Sequence, residues 1–200
     1  KWYVSQADVE MVMFNIGDVH DVNADQTTAF TTIFWNQFNA QRGYNSFNLA
    51  LAQYLEKALD DNGKFQEFKE YVKSKGYDWE RNISRFAAGR LDLALQMAKE
   101  VDPTLSTDVI RTRILNNEVN VSVEAFAAEM KEFIENKHNR NFRILFFVDE
   151  VSQFIGEHRD LLLQLQSLVK RLDEVCESRC WIACTAQQTL EEVVTNVGGN

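Results

Sequence analysis

Short apolar runs alternate with long amphipathic stretches along this chain. The run at residues 144–148 is too short for a helix and is rich in aromatic and β-branched side chains, so it predicts a strand buried on both faces. The runs at residues 11–16 and 181–185 predict two further strands, and Gly17-Asp18 closes the earlier one. The apolar pattern therefore predicts about three strands.

An amphipathic helix is predicted between the second and third strands, over residues 158–175. Its apolar stripe has the spacing i, i+4, i+7 and i+11, and consists of Leu161, Leu165, Leu168 and Leu172. A strand, a helix and a strand of these lengths form a βαβ unit, so these two strands should be parallel. Residues 187–194 are expected to begin another helix.

The stretch at residues 25–141 has a helical pattern almost throughout. Asn62-Gly63 and Asp102-Pro103 break the pattern, and Ser122 is a plausible N-cap. A connection between a strand and a helix needs far fewer residues than this. The predicted helices are residues 28–41, 47–59, 64–75, 82–99 and 122–136.

The chain is therefore interpreted as an α/β core interrupted by a large helical insertion. Residues 1–24 are assigned to the first strand of the core, and residues 25–141 to the insertion. Residues 142–200 supply the second strand, the amphipathic helix, the third strand and the start of a last helix.

Composition narrows the class of protein. One proline and 8 glycines in 200 residues favour long helices, and 14 phenylalanines can fill a core. The net charge of −9 disfavours a DNA-binding surface on this chain, because phosphate binding needs clustered cations. Neither an apolar run of membrane-spanning length nor a signal peptide is visible, so a cytoplasmic protein without membrane contact is expected.

The three cysteines have an even spacing that resembles a metal site. Cys176 lies near a predicted helix end, and Cys184 belongs to the apolar run that begins at Cys180. The nearest histidine, His158, is far upstream, so a fourth ligand is missing. Reduced, partly buried thiols are the preferred interpretation.

Two carboxylates, Asp149 and Glu150, follow the strand at residues 144–148 directly. A buried strand that delivers Asp-Glu to its carboxyl end is the Walker B arrangement of P-loop ATPases. In that interpretation Asp149 binds Mg²⁺ through a water molecule, and Glu150 polarises the water that attacks the γ-phosphate. The alternative is that both acids only cap the next segment.

The third strand also ends in polar residues. Thr185 is the first candidate for a side chain that senses the γ-phosphate, and Gln187 is the second. The alternative is that Thr185 only caps the helix that follows. Arg140, Arg143 and Arg159 flank the acids in sequence, where solvated surface charge is the preferred interpretation over an arginine finger.

A Walker A loop, G-x-x-x-x-G-K-[ST], does not occur in the chain. Gly63-Lys64 fails to match, because Phe65 follows the lysine and Ala58 stands where the first glycine should be. The chain begins at Lys1 rather than Met and is interpreted as an internal piece of a longer protein. This piece alone is expected neither to bind ATP tightly nor to hydrolyse it.

Two segments resemble the BrxC/PglY family, the large P-loop ATPases of bacteriophage-exclusion systems. They are RILFFVDEVSQFIGEHRDLLLQLQSLV and CWIACTAQQTLEEV, at the Walker B and sensor positions. EMVMFNIGDVHDVNADQTTAFTTIFWNQFN is similar to the strand and helix that follow the family's Walker A region, and GKFQEFKEYVKSKGYDWE suits its helical middle. The resemblance covers most of the chain and is most specific over residues 143–193.

This resemblance implies a very large bacterial cytoplasmic protein with an AAA+/ASCE-like P-loop sheet, ATP and Mg²⁺ as cofactors, and a Walker A motif upstream of Lys1. The Walker A strand would lie beside the sensor strand, which leaves the order sensor, Walker B and first strand here. The implied partners are other phage-exclusion proteins and further copies of the protein, with DNA as a ligand of the complex rather than of this acidic chain.

Three hypotheses for function follow. The first is ATP hydrolysis in the complete protein that drives assembly or remodelling of an antiviral defence complex. The second is a STAND-like switch that retains nucleotide with little turnover. The third is a non-catalytic scaffold that binds proteins through the helical insertion.

Overall fold

The chain folds as two compact units. The computed structural model describes residues 8–19, 26–156 and 158–186. One unit consists of Lys1–Gln37 and Val121–Asn200, and the other of Phe38–Asn120. The first unit therefore includes helical residues from both ends of the predicted insertion. The bounds of the insertion, residues 25–141, stay a prediction.

A parallel sheet forms the centre of the first unit. Its strands are β1 (Asp8–Asn15), β2 (Phe142–Asp149) and β3 (Cys180–Cys184), and their order is β1-β2-β3. Both neighbouring pairs are parallel. The fold is thus mixed α/β, and the predicted strand order and the parallel direction of the second and third strands are confirmed.

Helices and short helical turns fill the intervals between the strands. Among the described helical elements, two are not α-helical: a 3₁₀ turn at Gln26–Thr28 and a π-helical turn at Ala52–Glu56. The described α-helices are α1 (Ile16–Val19), α2 (Ala29–Gln41), α3 (Leu49–Leu51), α4 (Lys57–Asp61), α5 (Phe65–Ser74), α6 (Trp79–Gly89), α7 (Leu91–Val101), α8 (Thr107–Leu115), α9 (Val123–Asn136), α10 (Val151–Ile155) and α11 (Arg159–Val175). In the described part of the chain, no helix is both long and apolar enough to cross a membrane.

The core of the first unit lies against one face of the sheet. Phe34 of α2 packs on Phe14 and Phe146, with ring centroids 5.5 and 5.1 Å apart, and Phe126 of α9 also contacts Phe146. The even-numbered side chains of β2 on this face are buried. The odd-numbered side chains from Arg143 to Phe147 are only half-buried, so the predicted burial of this strand on both faces is not complete.

The capping residue and the chain break noted in the sequence coincide with observed helix ends. Ser122 is the N-cap of α9, because its Oγ accepts a hydrogen bond from the Ala125 N–H at 3.2 Å. Helix α7 ends at Val101, directly before Asp102-Pro103. The leucine stripe of α11 is buried as predicted.

Two features of the second unit differ from the sequence prediction. The helix expected over residues 82–99 is two helices, α6 and α7, which meet at Arg90, where the backbone leaves the helical conformation with φ −135° and ψ 29°. Helix α8 was not predicted, because only Ile110 and Ile114 of its side chains are buried and charged residues lie between them. A stripe of two residues is too short to show helical periodicity.

Glu56 is a buried carboxylate in the second unit and lies at the end of the π-helical turn. The Asn45 N–H donates to its Oε2 at 2.6 Å, and Trp79 Nε1 donates to its Oε1 at 2.7 Å. Burial raises the pKa of Glu56 to about 7, although both hydrogen bonds favour the ionised form. The carboxyl group therefore changes protonation state near neutral pH.

We expect Glu56 to make the folded state less stable as the pH rises. Its pKa is about 7 when folded, against an ordinary 4.5, so the folded state binds the proton more tightly. The contribution of this tighter proton binding to the stability of the folded state is complete below the ordinary pKa of 4.5 and is lost as the pH rises through 7. Between about pH 5 and about pH 8 the loss is roughly 2 to 3 kcal/mol.

Urea denaturation of the chain at these two pH values measures this loss. The Glu56→Gln variant cannot titrate and should lack this part of the pH dependence, whatever its absolute stability. Identical pH dependence in the parent chain and the variant would contradict the assignment.

Candidate functional site

The carboxyl edge of the sheet brings together polar residues from all three strands. Asn15 ends β1 and is paired in register with Asp149, which ends β2. Thr185 follows β3 directly, and its N–H donates to the Val148 carbonyl at 3.0 Å, which continues the β3 pairing beyond Cys184. Parallel strands place their carboxyl ends at one edge, where α/β proteins bind ligands.

Glu150 leaves the strand with a left-handed backbone, φ 60° and ψ 30°. This conformation is uncommon for a residue with a side chain and persists only where neighbours hold it. Here the Glu150 N–H donates to Asp149 Oδ1 at 3.0 Å and to Thr185 Oγ1 at 3.2 Å. Because of this turn, the alternation of side chains along β2 does not set the direction of the Glu150 side chain.

Thr185 links the ends of β2 and β3. Its hydroxyl donates to Asp149 Oδ1 and accepts from the Glu150 N–H. Its carbonyl accepts from the Val151 N–H at 3.2 Å, at the start of α10. The side chain proposed as a sensor therefore contacts the first acid directly, and its described hydrogen bonds are made to the Asp-Glu turn.

Asn15 holds the second acid. Its Nδ2 donates to Glu150 Oε2 at 2.7 Å, and its Oδ1 accepts from the Gly17 N–H at 2.8 Å. The Gly17 N–H can only donate, which sets the amide orientation of Asn15. A Cβ at position 17 would lie 3.3 Å from Asn15 Oδ1, so glycine leaves the amide room to take this position.

Asn15 is the site residue that sequence analysis missed. The apolar run was read through to residue 16, which made Asn15 an interior strand position. The usable signal was an Asn-x-Gly sequence at the end of a strand predicted to lie beside the Asp-Glu strand. The partner of Asn15, however, is 135 positions away in the chain.

The other predicted residues lie elsewhere. Gln187 lies outside the described residues. Arg143 is near the amino end of β2, where its guanidinium donates to the carbonyls of Arg140 and Phe142 at 2.8 Å. Arg140 and Arg143 are therefore at the opposite end of the strand from Asp149, and Arg159 is the first residue of α11.

The oxygen atoms at this edge suit a hard cation. Mg²⁺ is usually held by one or two carboxylates together with water and phosphate oxygens, and Asp149, Glu150 and Thr185 offer only oxygen ligands. Among the described residues, no group of three or more His, Cys, Asp or Glu side chains is arranged to hold a metal ion. Asp149, Glu150 and Thr185 are therefore the residues at this edge that could hold a hard cation.

The cysteines are free thiols in the described structure. Cys176 and Cys180 are buried, and Cys184 is exposed. These thiols remain interpreted as structural residues rather than metal ligands.

A scan of the chain against protein-family models finds no match, and no solved structure matches it. The site is therefore interpreted from its own geometry and from the resemblance described above.

The Thr185 hydroxyl should stabilise the Asp-Glu turn. Thr185→Val keeps the shape of the side chain but removes the group that pairs with Asp149 and the Glu150 N–H. We expect the free energy of unfolding to fall by about 1 kcal/mol. Thr185→Ser keeps the hydroxyl and should lose less than half of that amount in urea denaturation. Equal losses would show that the methyl group, not the hydroxyl, stabilises the turn.

Proposed function

We propose that this edge of the sheet is part of the Mg²⁺–ATP site of a P-loop ATPase of the AAA+/ASCE type, related to the BrxC/PglY family. The observation that carries the proposal is the convergence of Asp149, Glu150 and Thr185 at the carboxyl edge of a parallel sheet with the expected strand order. ATP hydrolysis by the complete bacterial protein would drive assembly or remodelling of a cytoplasmic phage-defence complex.

Each residue has a distinct role in this proposal. Asp149 lies at the strand end and would hold Mg²⁺ through a water molecule. Glu150 would accept a proton from the attacking water. Thr185 would sense the γ-phosphate by turning its one hydroxyl hydrogen from Asp149 to a phosphate oxygen. Mg²⁺ supplies charge neutralisation on the phosphates when it is bound.

The phosphate-binding loop must come from outside this chain. The chain contains no G-x-x-x-x-G-K-[ST] sequence. Among the described strands β3 is paired only with β2, so its outer edge can accept another strand. A Walker A strand at that position would bring its loop next to Thr185.

A nucleotide switch with little turnover is the second candidate. It is favoured by the 2.7 Å hydrogen bond from Asn15 to the Glu150 carboxylate. A general base must reach the water that it activates. Glu150 has to exchange its contact with Asn15 for a contact with water before hydrolysis, and a slow exchange would leave nucleotide bound without turnover.

Glu150→Gln should abolish hydrolysis and spare ATP binding. The amide keeps the size of the side chain but cannot accept the proton. The measurement is ATP binding and phosphate release in a chain extended upstream to include the Walker A loop, with Glu174→Gln on the exposed surface of α11 as the matched control. Normal turnover in Glu150→Gln would refute the role of Glu150 as the base.

Asn15→Asp should lower the turnover rate at least tenfold with ATP affinity retained. The substitution places a second carboxylate within hydrogen-bonding distance of Glu150. Because like charges at this distance repel, the Glu150 carboxylate should leave its position at the site and activate water less well. The turnover rate and the ATP dissociation constant of the extended chain are the readouts. Asn15→Ser is the control that removes the amide without adding charge, and equal effects of the two substitutions would contradict the electrostatic explanation.

A further inference from the structure

Two thiols lie together where α11 ends and β3 begins. Cys176 directly follows α11, and Cys180 is the first residue of β3. Both side chains are buried, and their thiol groups are hydrogen-bonded to each other. The connection between this helix and this strand therefore holds two potential nucleophiles in contact.

The turn between the two cysteines has an uncommon backbone. Glu177 and Ser178 are both left-handed, with φ 54° and 57°. Neither residue is a glycine, and a side chain in this conformation costs free energy, so the conformation persists only where neighbouring contacts hold it. A strained turn between two facing thiols favours a function for the pair that depends on their placement.

Hydrogen bonds on both sides hold this turn. The Arg179 N–H donates to the Cys176 carbonyl at 3.0 Å, which closes the turn. The Ser178 N–H donates to the Asp173 carbonyl at 3.0 Å, and the Ser178 hydroxyl donates to the Asp173 carboxylate at 2.8 Å. Trp181 Nε1 donates to the Ser178 carbonyl at 2.8 Å. The folded backbone thus positions the two thiols before any reaction.

The two thiols differ in their tendency to ionise. The hydrogen bond from Cys180 lowers the pKa of Cys176 in spite of its burial, and the positive charge of Arg179 acts in the same direction. The same hydrogen bond raises the pKa of Cys180, and burial adds to this effect. Because the thiolate is the form that attacks, Cys176 is the first nucleophile and Cys180 is the thiol that reacts second.

A small oxidant can reach the pair through the turn. Glu177 and Ser178 are exposed, so the chain between the two buried thiols lies at the surface. Local opening of a surface segment needs less free energy than unfolding of the whole chain. Hydrogen peroxide is little larger than water, and a small opening is enough to admit it.

We propose that Cys176 and Cys180 are a redox-sensitive pair, which hydrogen peroxide converts into a disulfide that joins the end of α11 to the start of β3. The Cys176 thiolate attacks one peroxide oxygen, the O–O bond breaks and hydroxide leaves, so that Cys176 becomes a sulfenic acid. The Cys180 sulfur then attacks the Cys176 sulfur, the S–O bond breaks and a second hydroxide leaves. The protons of the two thiols convert both hydroxides to water, and the two electrons lost by the sulfur atoms reduce the peroxide.

Trypsin separates the two cysteines and makes the disulfide detectable. Cleavage after Arg171 and Arg179 gives one peptide with Cys176, residues 172–179, and another with Cys180 and Cys184, residues 180–200. The folded chain is treated with an equimolar amount of hydrogen peroxide, the remaining thiols are blocked with iodoacetamide in urea, and the digest is analysed by mass spectrometry without reduction. We expect the two peptides to be joined through Cys180, with Cys184 alkylated, and to separate after treatment with dithiothreitol.

Cys184→Ser is the matched control, because it removes the thiol outside the pair and should leave the linked peptides unchanged. Cys180→Ser should give no linked peptides, and Cys176 should then stop at the sulfenic acid, which dimedone traps. The parent chain and Cys184→Ser decide the proposal even if Cys180→Ser does not fold. The same treatment in urea measures what folding contributes, because without the turn Cys184 should also take part in disulfides.

Three outcomes would each overturn the proposal. Unreacted thiols at Cys176 and Cys180 in the folded chain would show that burial keeps them inert. Links through Cys184 in the folded chain, or the same mixture of links as in urea, would show that the turn does not select the pair. A disulfide between two chains, seen as a dimer on a non-reducing gel, would assign the reaction to surface thiols. All measurements are made without nucleotide, so failure of the ATPase proposal cannot produce any of these results.

Discussion

The parallel pairing of β1 with β2 is the contact on which the rest of the first unit depends. It joins residues 8–15 to residues 142–149, which are far apart in the chain. Closing such a long loop costs conformational entropy before any contact forms. The aromatic contacts of Phe14, Phe34 and Phe146 on one face of the sheet offset this cost. Without this pairing neither the core of the unit nor the carboxyl edge exists.

The candidate site is a consequence of that pairing and of one uncommon backbone conformation. Asp149 continues the direction of the strand, whereas the left-handed Glu150 turns toward β1 and meets Asn15. Thr185 holds the turn from the other side through the Glu150 N–H. Asn15 at the end of β1 and Thr185 directly after β3 thus hold the two acids from both sides of β2. A site of this kind keeps its geometry only while the strands stay in register.

The second unit is built around a core between helices rather than around a sheet. Its helices enclose a core of aliphatic and aromatic side chains, in which Trp79 stacks on Phe86 with centroids 5.2 Å apart. Glu56 introduces a carboxyl group into this core and binds two N–H donors there. A buried carboxyl group with two donors specifies one arrangement of the surrounding segments, at a cost in stability when it is ionised.

The sequence by itself determined the three strands, most of the helices and three of the residues at the carboxyl edge. Apolar periodicity, the Ser122 cap and the Asp102-Pro103 break act within a few residues, so they can be read without knowing the fold. Asp149 and Thr185 were found because each lies at the carboxyl end of a predicted strand. Only the tertiary structure decided the role of Asn15 and the exposure of one sheet face. A hydrogen bond across 135 positions and the face of the sheet that the helices cover depend on strand register and strand order, which no local pattern specifies.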